Sequence, residues 1–276
     1  MRRYDLHCHS TASDGLLSPA AVVARAAQRG VDVLALTDHD EVGGLAEARA
    51  AAADAGIEFV CGTELSVSWE AHTIHVVGLR IDPDEPTLGD GLAAIRAGRA
   101  TRARRIADSL AAAGIGGAYE GAMRYVTSER LISRTHFARW LVEAGHVRQV
   151  KDVFKRYLSP GKPGYVRHEW ASLTDAVGWI HAAGGKAVIA HPGRYKVTPT
   201  GMRRLLTDFR AAGGDAIEVL SSAHTTAQFA EYATYARLFE LAGSCGSDWH
   251  GPGESWLDLG DLPALPAGVV PVWHDW

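Results

Sequence analysis

Paired cysteines and long apolar segments are both missing from this chain of 276 residues. Its three cysteines, Cys8, Cys61 and Cys245, are too few and too far apart for a disulfide framework, which excludes the small disulfide-stabilised secreted proteins. No apolar run reaches the roughly 18 residues of a membrane span. Residues 1–5 lead straight into polar sequence, without the apolar core of a signal peptide. We therefore expect a cytoplasmic protein that does not associate with membranes.

Acidic residues are also scarce in one part of the chain. Residues 96–167 hold fifteen Lys and Arg but only five Asp and Glu, which gives a net charge of +10. The remainder holds 13 basic and 27 acidic residues, a net charge of −14. An acidic body suits metal binding, and a basic segment suits an anionic substrate. The length is enough for one large domain or for one domain with an insert.

Buried apolar runs alternate with helical segments in both outer parts of the chain. This alternation predicts parallel strands joined by crossover helices. A short strand precedes His7, and Glu64 is expected just past the end of the third strand. A tail at 269–273 adds a strand or packs on the sheet. The other predicted strands lie at residues 31–36, 57–61, 67–69, 74–79, 186–190, 216–220 and 244–247.

The middle of the chain has only helical patterns, at residues 88–113, 120–125, 133–145 and 147–157. We therefore predict the α/β class, as a distorted (β/α)7 barrel with a small all-helical insert domain. The barrel takes residues 1–98 and 166–276. The basic insert takes residues 99–165 and caps the substrate.

Candidate metal ligands lie near the ends of the predicted strands. His7 and His9 are two apart, so both imidazoles point to the same face of a strand, and Asp248 and His250 repeat that spacing. In α/β barrels the carboxyl ends of the strands carry the chemistry. Nine mixed nitrogen and oxygen ligands suit two or three ions of manganese, zinc or iron, at roughly three protein ligands each. The nine are His7, His9, Asp14, His39, Glu64, His75, His191, Asp248 and His250.

Four motifs resemble those of the PHP superfamily, the polymerase and histidinol phosphatase group. They are residues 5–10 (DLHCHS), 37–40 (TDHD), 190–193 (AHPG) and 246–250 (GSDWH). The resemblance covers the chain outside the insert, which is itself similar to that of the bacterial 3′,5′-nucleoside bisphosphate phosphatases. Relatives of those enzymes trim short RNAs from the 5′ end. The resemblance implies a distorted seven-stranded barrel and a trinuclear site.

The same resemblance assigns ligands to each ion. It implies one ion on His7, His9, Glu64 and Asp248, a second on Glu64, His75 and His191, and a third on Asp14, His39 and His250. Adjacent metals acidify a bound water and clamp a phosphoryl group. We expect a bridging hydroxide to attack phosphorus, with Glu64 and Asp248 as catalytic ligands and no phosphoenzyme. His224 follows a strand end and is a further catalytic candidate, as an acid.

Arginines of the insert are candidates for substrate binding. Arg99 and Arg102 share a helical face, and Arg130 and Arg134 are four residues apart. Guanidinium forks bind phosphate oxygens in pairs, so the two groups could hold a second phosphate. Arg139 is expected to be solvated. The predicted substrate-binding set is Arg99, Arg102, Arg130, Arg134, Thr135 and His136.

These features predict a metal-dependent phosphoesterase that removes the 3′-phosphate from nucleoside 3′,5′-bisphosphates, and that also trims short 5′-phosphorylated RNA. Manganese is the expected metal, with zinc or iron as alternatives, and no obligate protein partner is expected. Two alternatives stay open, a phosphatase of histidinol phosphate or another small phosphomonoester, and a non-catalytic module that binds nucleic acid. An amidohydrolase also begins with a His-x-His strand, but it ordinarily needs a carboxylated lysine as the bridge, and Glu64 fills that place here.

Overall fold

A computed structural model describes residues 2–127 and 131–276 of the chain. The strands are β1 (Tyr4–Asp5), β2 (Val33–Leu36), β3 (Glu58–Trp69), β4 (His72–Leu79), β5 (Ala171–Ser172), β6 (Lys186–Ile189), β7 (Ala216–Ser221) and β8 (Ala242–Gly246). The helices are α1 (Pro19–Gln28), α2 (Leu45–Ala55), α3 (Pro86–Ala112), α4 (Ala118–Met123), α5 (Arg134–Glu143), α6 (Val150–Val153), α7 (Leu173–Ala182), α8 (Pro199–Ala211) and α9 (Thr226–Leu238). A π-helical turn, Phe154–Leu158, continues α6.

The strands form one sheet that curls almost into a closed barrel. Their order is β1-β2-β3-β4-β6-β7-β8, and β5 pairs with β3 outside that path. Neighbours are parallel except β4, which runs antiparallel to both β3 and β6. The two ends meet where the Leu6 N–H donates to the Cys245 carbonyl at 2.9 Å and Cys8 bridges Trp249. The predicted distorted α/β barrel is confirmed.

The third strand is longer than predicted. It continues from Glu58 to Trp69, so Glu64 lies within β3 rather than past its end. The polar residues that interrupt the apolar run have partners at the barrel mouth. The Thr63 hydroxyl donates to the Asp38 carbonyl, and the Ser66 N–H donates to Asp40 Oδ1. The strand therefore crosses the mouth and does not end there.

The tail does not form a strand, which was one of the two outcomes predicted for it. In residues 269–273 only Pro271 pairs with the sheet, through a bridge to Gly243, and the Trp273 ring stacks on Tyr4 with centroids 4.1 Å apart. The tail therefore packs across the lower end of the barrel, which was the other predicted outcome.

Apolar side chains divide between the barrel and the helical segment. A small cluster that includes Leu6, Val77 and Val188 fills the barrel interior. A separate cluster lies among α3–α6, with Phe137 and Leu141 fully buried. Helix α3 contributes to both regions, because its first half packs on the barrel and its second half packs in the helical cluster. The predicted boundary at residue 98 falls inside this continuous helix. No helix in the described ranges is long and apolar enough to span a bilayer.

Candidate metal centre

The nine predicted ligands converge at one mouth of the barrel. His7 and His9 follow β1, His191 follows β6, and Asp248 and His250 follow β8. The remaining four come from the loops and strands between them. Parallel bridges, Cys8 to Trp249 and His39 to Glu64, lock the neighbouring chain segments in register. The local motifs therefore provide the ligand side chains, and closure of the barrel brings the strand ends that carry them together.

Four ligand atoms lie close together at the mouth. They are His7 Nε2, His9 Nε2, Glu64 Oε2 and Asp248 Oδ1, and five of the distances between them measure between 3.2 and 3.5 Å. Three of these residues, His7, His9 and Asp248, each place a ligand atom where the three can share one ion. Nitrogen and oxygen ligands of this kind suit a zinc-like divalent ion.

Glu64 contacts histidines with both carboxylate oxygens. Its Oε1 lies 2.8 Å from His75 Nδ1 and 2.8 Å from His191 Nε2. Its Oε2 lies 2.8 Å from His39 Nδ1, but not in hydrogen-bonding geometry. A carboxylate with a separate ligand group on each oxygen is arranged as a bridge between ions.

A further group of ligands lies beside these atoms. Asp14 Oδ1 lies 3.5 Å from His250 Nε2 and 3.9 Å from His39 Nε2, and the rings of His9 and His250 stack with centroids 4.2 Å apart. These four residues can share one ion. By the same criterion of ligand atoms close enough to share one ion, His75 groups with His39 and Glu64, whereas His191 groups with Glu64 and His7.

Unpaired buried atoms provide an independent test of the fit to metal. In the described part of the chain, Asp14 Oδ1, His39 Nδ1 and Glu64 Oε2 are buried without a hydrogen-bond partner. A polar atom left unpaired in this way costs about 1–3 kcal/mol. Several of them packed among imidazoles and carboxylates is unfavourable unless cations take up the free lone pairs. The donor set fits divalent metal ions.

A cavity of about 140 Å³ lies above this cluster. Ligand side chains form its floor, and four arginines, Arg99, Arg102, Arg134 and Arg194, form its walls together with Ser133 and Thr135. Four of the predicted substrate residues therefore face the ligands across one cavity. Arg130 lies outside the described residues. His136 stands behind the wall, where its Nδ1 accepts the Ser133 N–H at 3.0 Å.

The arginines differ in what holds them. Arg99 is buried and paired with Asp40, and it donates to Ser66 Oγ at 2.9 Å. Arg102 donates to the Val166 carbonyl at 3.2 Å, and Arg134 donates to the Leu158 carbonyl at 3.5 Å. Neither has an ion-pair partner within residues 2–127 and 131–276. Burial, with the charges of Arg134 and Arg99, lowers the pKa of Arg102 to about 9. This positive pair is uncompensated and faces the cavity.

Comparison with known proteins identifies the family. Residues 5–158 match the PHP domain. The chain belongs to the PHP domain family. It is 55% identical to a 3′,5′-nucleoside bisphosphate phosphatase of Chromobacterium violaceum, over 100% of this chain and 96% of that protein. It is 47% identical to a 5′-3′ exoribonuclease of Haemophilus influenzae, over 99% and 98% of the two chains.

A solved structure supports the same family. It is described as an amidohydrolase from Chromobacterium violaceum with bound sulfate and no metal. It superposes on this chain with a TM-score of 0.96 at 55% identity and covers 99% of this chain and 95% of its own. The predicted PHP family is thus confirmed, and the prediction of a metal-dependent phosphatase agrees with the names of the relatives.

Electrostatics of the PHP site favour ionised carboxylates, but its imidazoles differ from one another. Against the cost of burial, the charges of Glu218, Glu64 and Asp248 raise the pKa of His7, and those of Glu64 and Asp14 raise the pKa of His39 to about 9. Burial opposes the charge on Glu64, but His39, His75 and His7 hold the pKa of that carboxyl well below its usual range. Burial and the nearby Arg194 lower the pKa of His191 to about 3. Metals bind the deprotonated form of both groups, so the site is poised for them.

Glu218 supports the PHP site and was missed in the sequence. Its Oε1 lies 2.7 Å from His7 Nδ1, and its Oε2 accepts the His191 N–H at 2.5 Å. Such partners fix the ring orientation of a ligating histidine. The signal was present, because Glu218 is a lone carboxylate within the buried apolar run of β7.

Two further residues of the PHP site depart from expectation. Arg139 was expected to be solvated but is buried, and it donates to the Asp14 carbonyl at 2.6 Å and to Glu254 at 2.7 and 2.8 Å. It ties α5 to the loop after β8. Arg194, which was not predicted, is half-exposed at the rim and lies 2.5 Å from Asp248 Oδ2. Burial of an arginine is set by tertiary contacts, so local sequence gives no sign of it.

His224 occupies a supporting position. Its Nδ1 lies 3.1 Å from the Val219 carbonyl, and its Nε2 accepts the Gly193 N–H at 3.1 Å. Both ring nitrogens are therefore engaged with backbone. This arrangement holds the loop that presents His191 and leaves no nitrogen free to donate a proton to a substrate. The predicted role as an acid gains no support from the geometry.

Proposed function

We propose that this protein is a metal-dependent phosphatase that removes the 3′-phosphate from nucleoside 3′,5′-bisphosphates, for example adenosine 3′,5′-bisphosphate to give AMP. One observation carries the proposal: the ligand cluster and the uncompensated pair Arg102 and Arg134 line the same cavity. A substrate with two phosphates can place one at the cluster and the other at the arginines. The 55% identity to a phosphatase of that name supports the assignment.

The ions of the proposed enzyme are two or three, at roughly three protein ligands each, with manganese first and zinc or iron as alternatives. The ligand sets are His7, His9, Glu64 and Asp248, then Glu64, His75 and His191, then Asp14, His39 and His250. When bound, such ions activate water and offset the negative charge of a phosphoryl group.

The chain's own residues orient the substrate and exclude competing chemistry. Guanidinium groups bind phosphate oxygens in a fixed fork, so Arg102 and Arg134 hold the remote phosphate and align the reacting one. Arg194 adds positive charge at the rim beside Asp248. No side-chain nucleophile is proposed. Cys8 donates to the Ala35 carbonyl within the buried core and does not face the cavity.

A second candidate activity is the trimming of short 5′-phosphorylated RNA. A relative 47% identical over nearly the whole chain is named a 5′-3′ exoribonuclease. The 5′ end of such an RNA also presents phosphates on both sides of a ribose, so the same two subsites would receive it. A small monoester such as histidinol phosphate would leave Arg102 and Arg134 without an anion, which makes it the weaker alternative.

The assay that tests the proposal measures phosphate release with manganese from four esters. They are adenosine 3′,5′-bisphosphate, 3′-AMP, 5′-AMP and histidinol phosphate. We expect the bisphosphate to have the highest kcat/KM, 3′-AMP to be slower because it lacks the second phosphate, and 5′-AMP to remain intact. Chelated protein is the control. Faster turnover of histidinol phosphate, or loss of the 5′-phosphate, would overturn the assignment.

A further inference from the structure

A second cavity, of about 170 Å³, adjoins the one above the ligand cluster. It lies between the β3–β4 turn and the segment 165–172. Two residues, Thr73 and Trp170, line both cavities. A ligand that extends from one cavity into the other must therefore pass between them. A nucleotide has this extended form, with charged phosphates at one end and a flat base at the other.

We propose that the second cavity binds the nucleobase of the substrate, with Tyr165, His168 and Trp170 as its stacking surface. This inference rests on the proposed function and deepens it, since it names a subsite and the residues that select for a base. Its aromatic residues suit a base better than another phosphate. The rim carries both Arg167 and Glu169, so it offers an anion no clear net attraction.

Trp170 couples the two cavities physically. The guanidinium carbons of Arg99 and Arg102 each lie 5.2 Å from the centre of a Trp170 ring. Cation–π attraction of this kind holds the indole in place. The Trp170 backbone N–H donates to Ser68 Oγ at 2.8 Å, which fixes the segment to β3. Hence the group that borders the base subsite also contacts arginines of the phosphate subsite.

The indole N–H of Trp170 is unexplained by the protein's own contacts. Its Nε1 is buried and has no hydrogen-bond partner among the described residues. A buried donor without a partner costs about 1–3 kcal/mol. A bound nucleoside, with acceptors on both ribose and base, brings such a partner to the wall shared by the two cavities.

His168 completes an aromatic corner. Its ring packs edge-on against Trp170, with centroids 4.3 Å apart and an interplanar angle of 67°. Gly98 of α3 makes room for it, because a Cβ at that position would lie 2.5 Å from His168 Nε2. Burial and the charges of Arg102 and Arg105 lower the pKa of His168, so the imidazole is neutral at pH 7. A neutral ring stacks on a base without competing for phosphate.

The experiment compares binding of AMP with binding of ribose 5-phosphate, which lacks the base, to the metal-loaded protein by calorimetry. Stacking contributes about 1–3 kcal/mol per base. We therefore expect AMP to bind at least about tenfold tighter than ribose 5-phosphate in the unchanged protein. His168→Ala should weaken AMP binding about fivefold or more and leave ribose 5-phosphate unaffected. Tyr165→Leu is a second variant, with the same expectation.

His146→Ala is the matched control, because His146 is also a half-buried histidine of the helical region but lines neither cavity. It should change neither affinity, and thermal melting confirms that each variant is folded. Equal affinities for AMP and ribose 5-phosphate in the unchanged protein would overturn the base subsite even if the bisphosphate is hydrolysed. A preference for AMP without hydrolysis of the bisphosphate would overturn the proposed function and leave the subsite standing.

Discussion

The two walls of the cavity above the ligand cluster differ in which polar groups they leave without a protein partner. On the barrel wall, buried carboxylates and imidazoles crowd together and some of their atoms lack partners. On the helical wall, the hydrogen bonds of Arg102 and Arg134 go to carbonyl oxygens, and neither arginine has an ion-pair partner among the described residues. A folded chain pairs most buried charges internally, so each departure indicates a ligand of opposite charge. The barrel wall fits cations, and we propose that the helical wall binds phosphate.

The walls also differ in how their side chains are held. Strand ends and a nearly closed sheet fix the ligands, whereas the arginines project from α3 and α5. Several contacts join the walls directly. Arg99 pairs with Asp40, which also accepts the Ser66 N–H from β3, and Arg139 donates to the Asp14 carbonyl. The helical wall is thus positioned against the metal ligands, and its contribution can be removed separately.

Glu64→Gln should have the largest effect, because it alters a predicted metal ligand of the barrel wall whose two oxygens both lie against ligand imidazoles. The amide has no negative charge and only one acceptor oxygen. We expect kcat for the bisphosphate to fall on the order of 10³-fold or more. Metal analysis should show fewer bound ions per chain.

Glu231→Gln is the matched control for this change. Glu231 is an exposed residue of α9, and its substitution should leave kcat and metal content unchanged. Full activity in Glu64→Gln would remove the bridging role of this carboxylate and, with it, the contrast between the walls.

Arg134→Ala tests the helical wall. It should raise KM for adenosine 3′,5′-bisphosphate by roughly 10- to 100-fold, since hydrogen bonds to charged groups contribute about 1.5–3 kcal/mol each. KM for a simple aryl phosphate should change little, because that ester has no second phosphate.

Arg148→Ala, at an exposed position of the same basic segment, is the control and should behave like the unchanged protein. Equal increases in KM for both esters would contradict a second phosphate subsite and would assign Arg134 to the reacting phosphate.

The barrel wall was predictable from the sequence and the helical wall was only partly so. His7 and His9 form a motif within three residues, and their i, i+2 spacing encodes a common face. By contrast, burial of Arg139 depends on Glu254, 115 residues away in the sequence. Glu64 was predicted as a ligand, but its strand was predicted too short, because the partners of neighbouring polar residues lie in other loops.

Glu218→Gln tests the support behind the metal ligands. Glu218 serves His7 with one oxygen and the His191 N–H with the other. Glutamine has only one acceptor oxygen, so its amide NH₂ group must face either the His7 ring N–H or the His191 backbone N–H, and two donors then oppose each other. Loss of such a partner typically lowers metal affinity by about 10- to 100-fold, and we expect the lower end of that range because one contact survives. Competition with a chelator measures it, with Glu231→Gln as reference. Unchanged metal affinity would limit Glu218 to packing.

The smallest expected effect is that of salt concentration on KM, which should distinguish the contributions of the two walls. Screening acts strongly on charges that meet in water and weakly on buried ones, with a Debye length of about 10 Å at 0.1 M salt. A phosphate that enters from solvent towards Arg134 and the half-exposed Arg194 is attracted partly through water. We expect KM for the bisphosphate to rise about threefold between roughly 50 and 500 mM NaCl at saturating manganese. KM for an aryl phosphate, held only by the buried cluster, should rise less. If both esters respond alike, the attraction comes from the cluster or from the whole molecule, and the arginine wall has no separate electrostatic role.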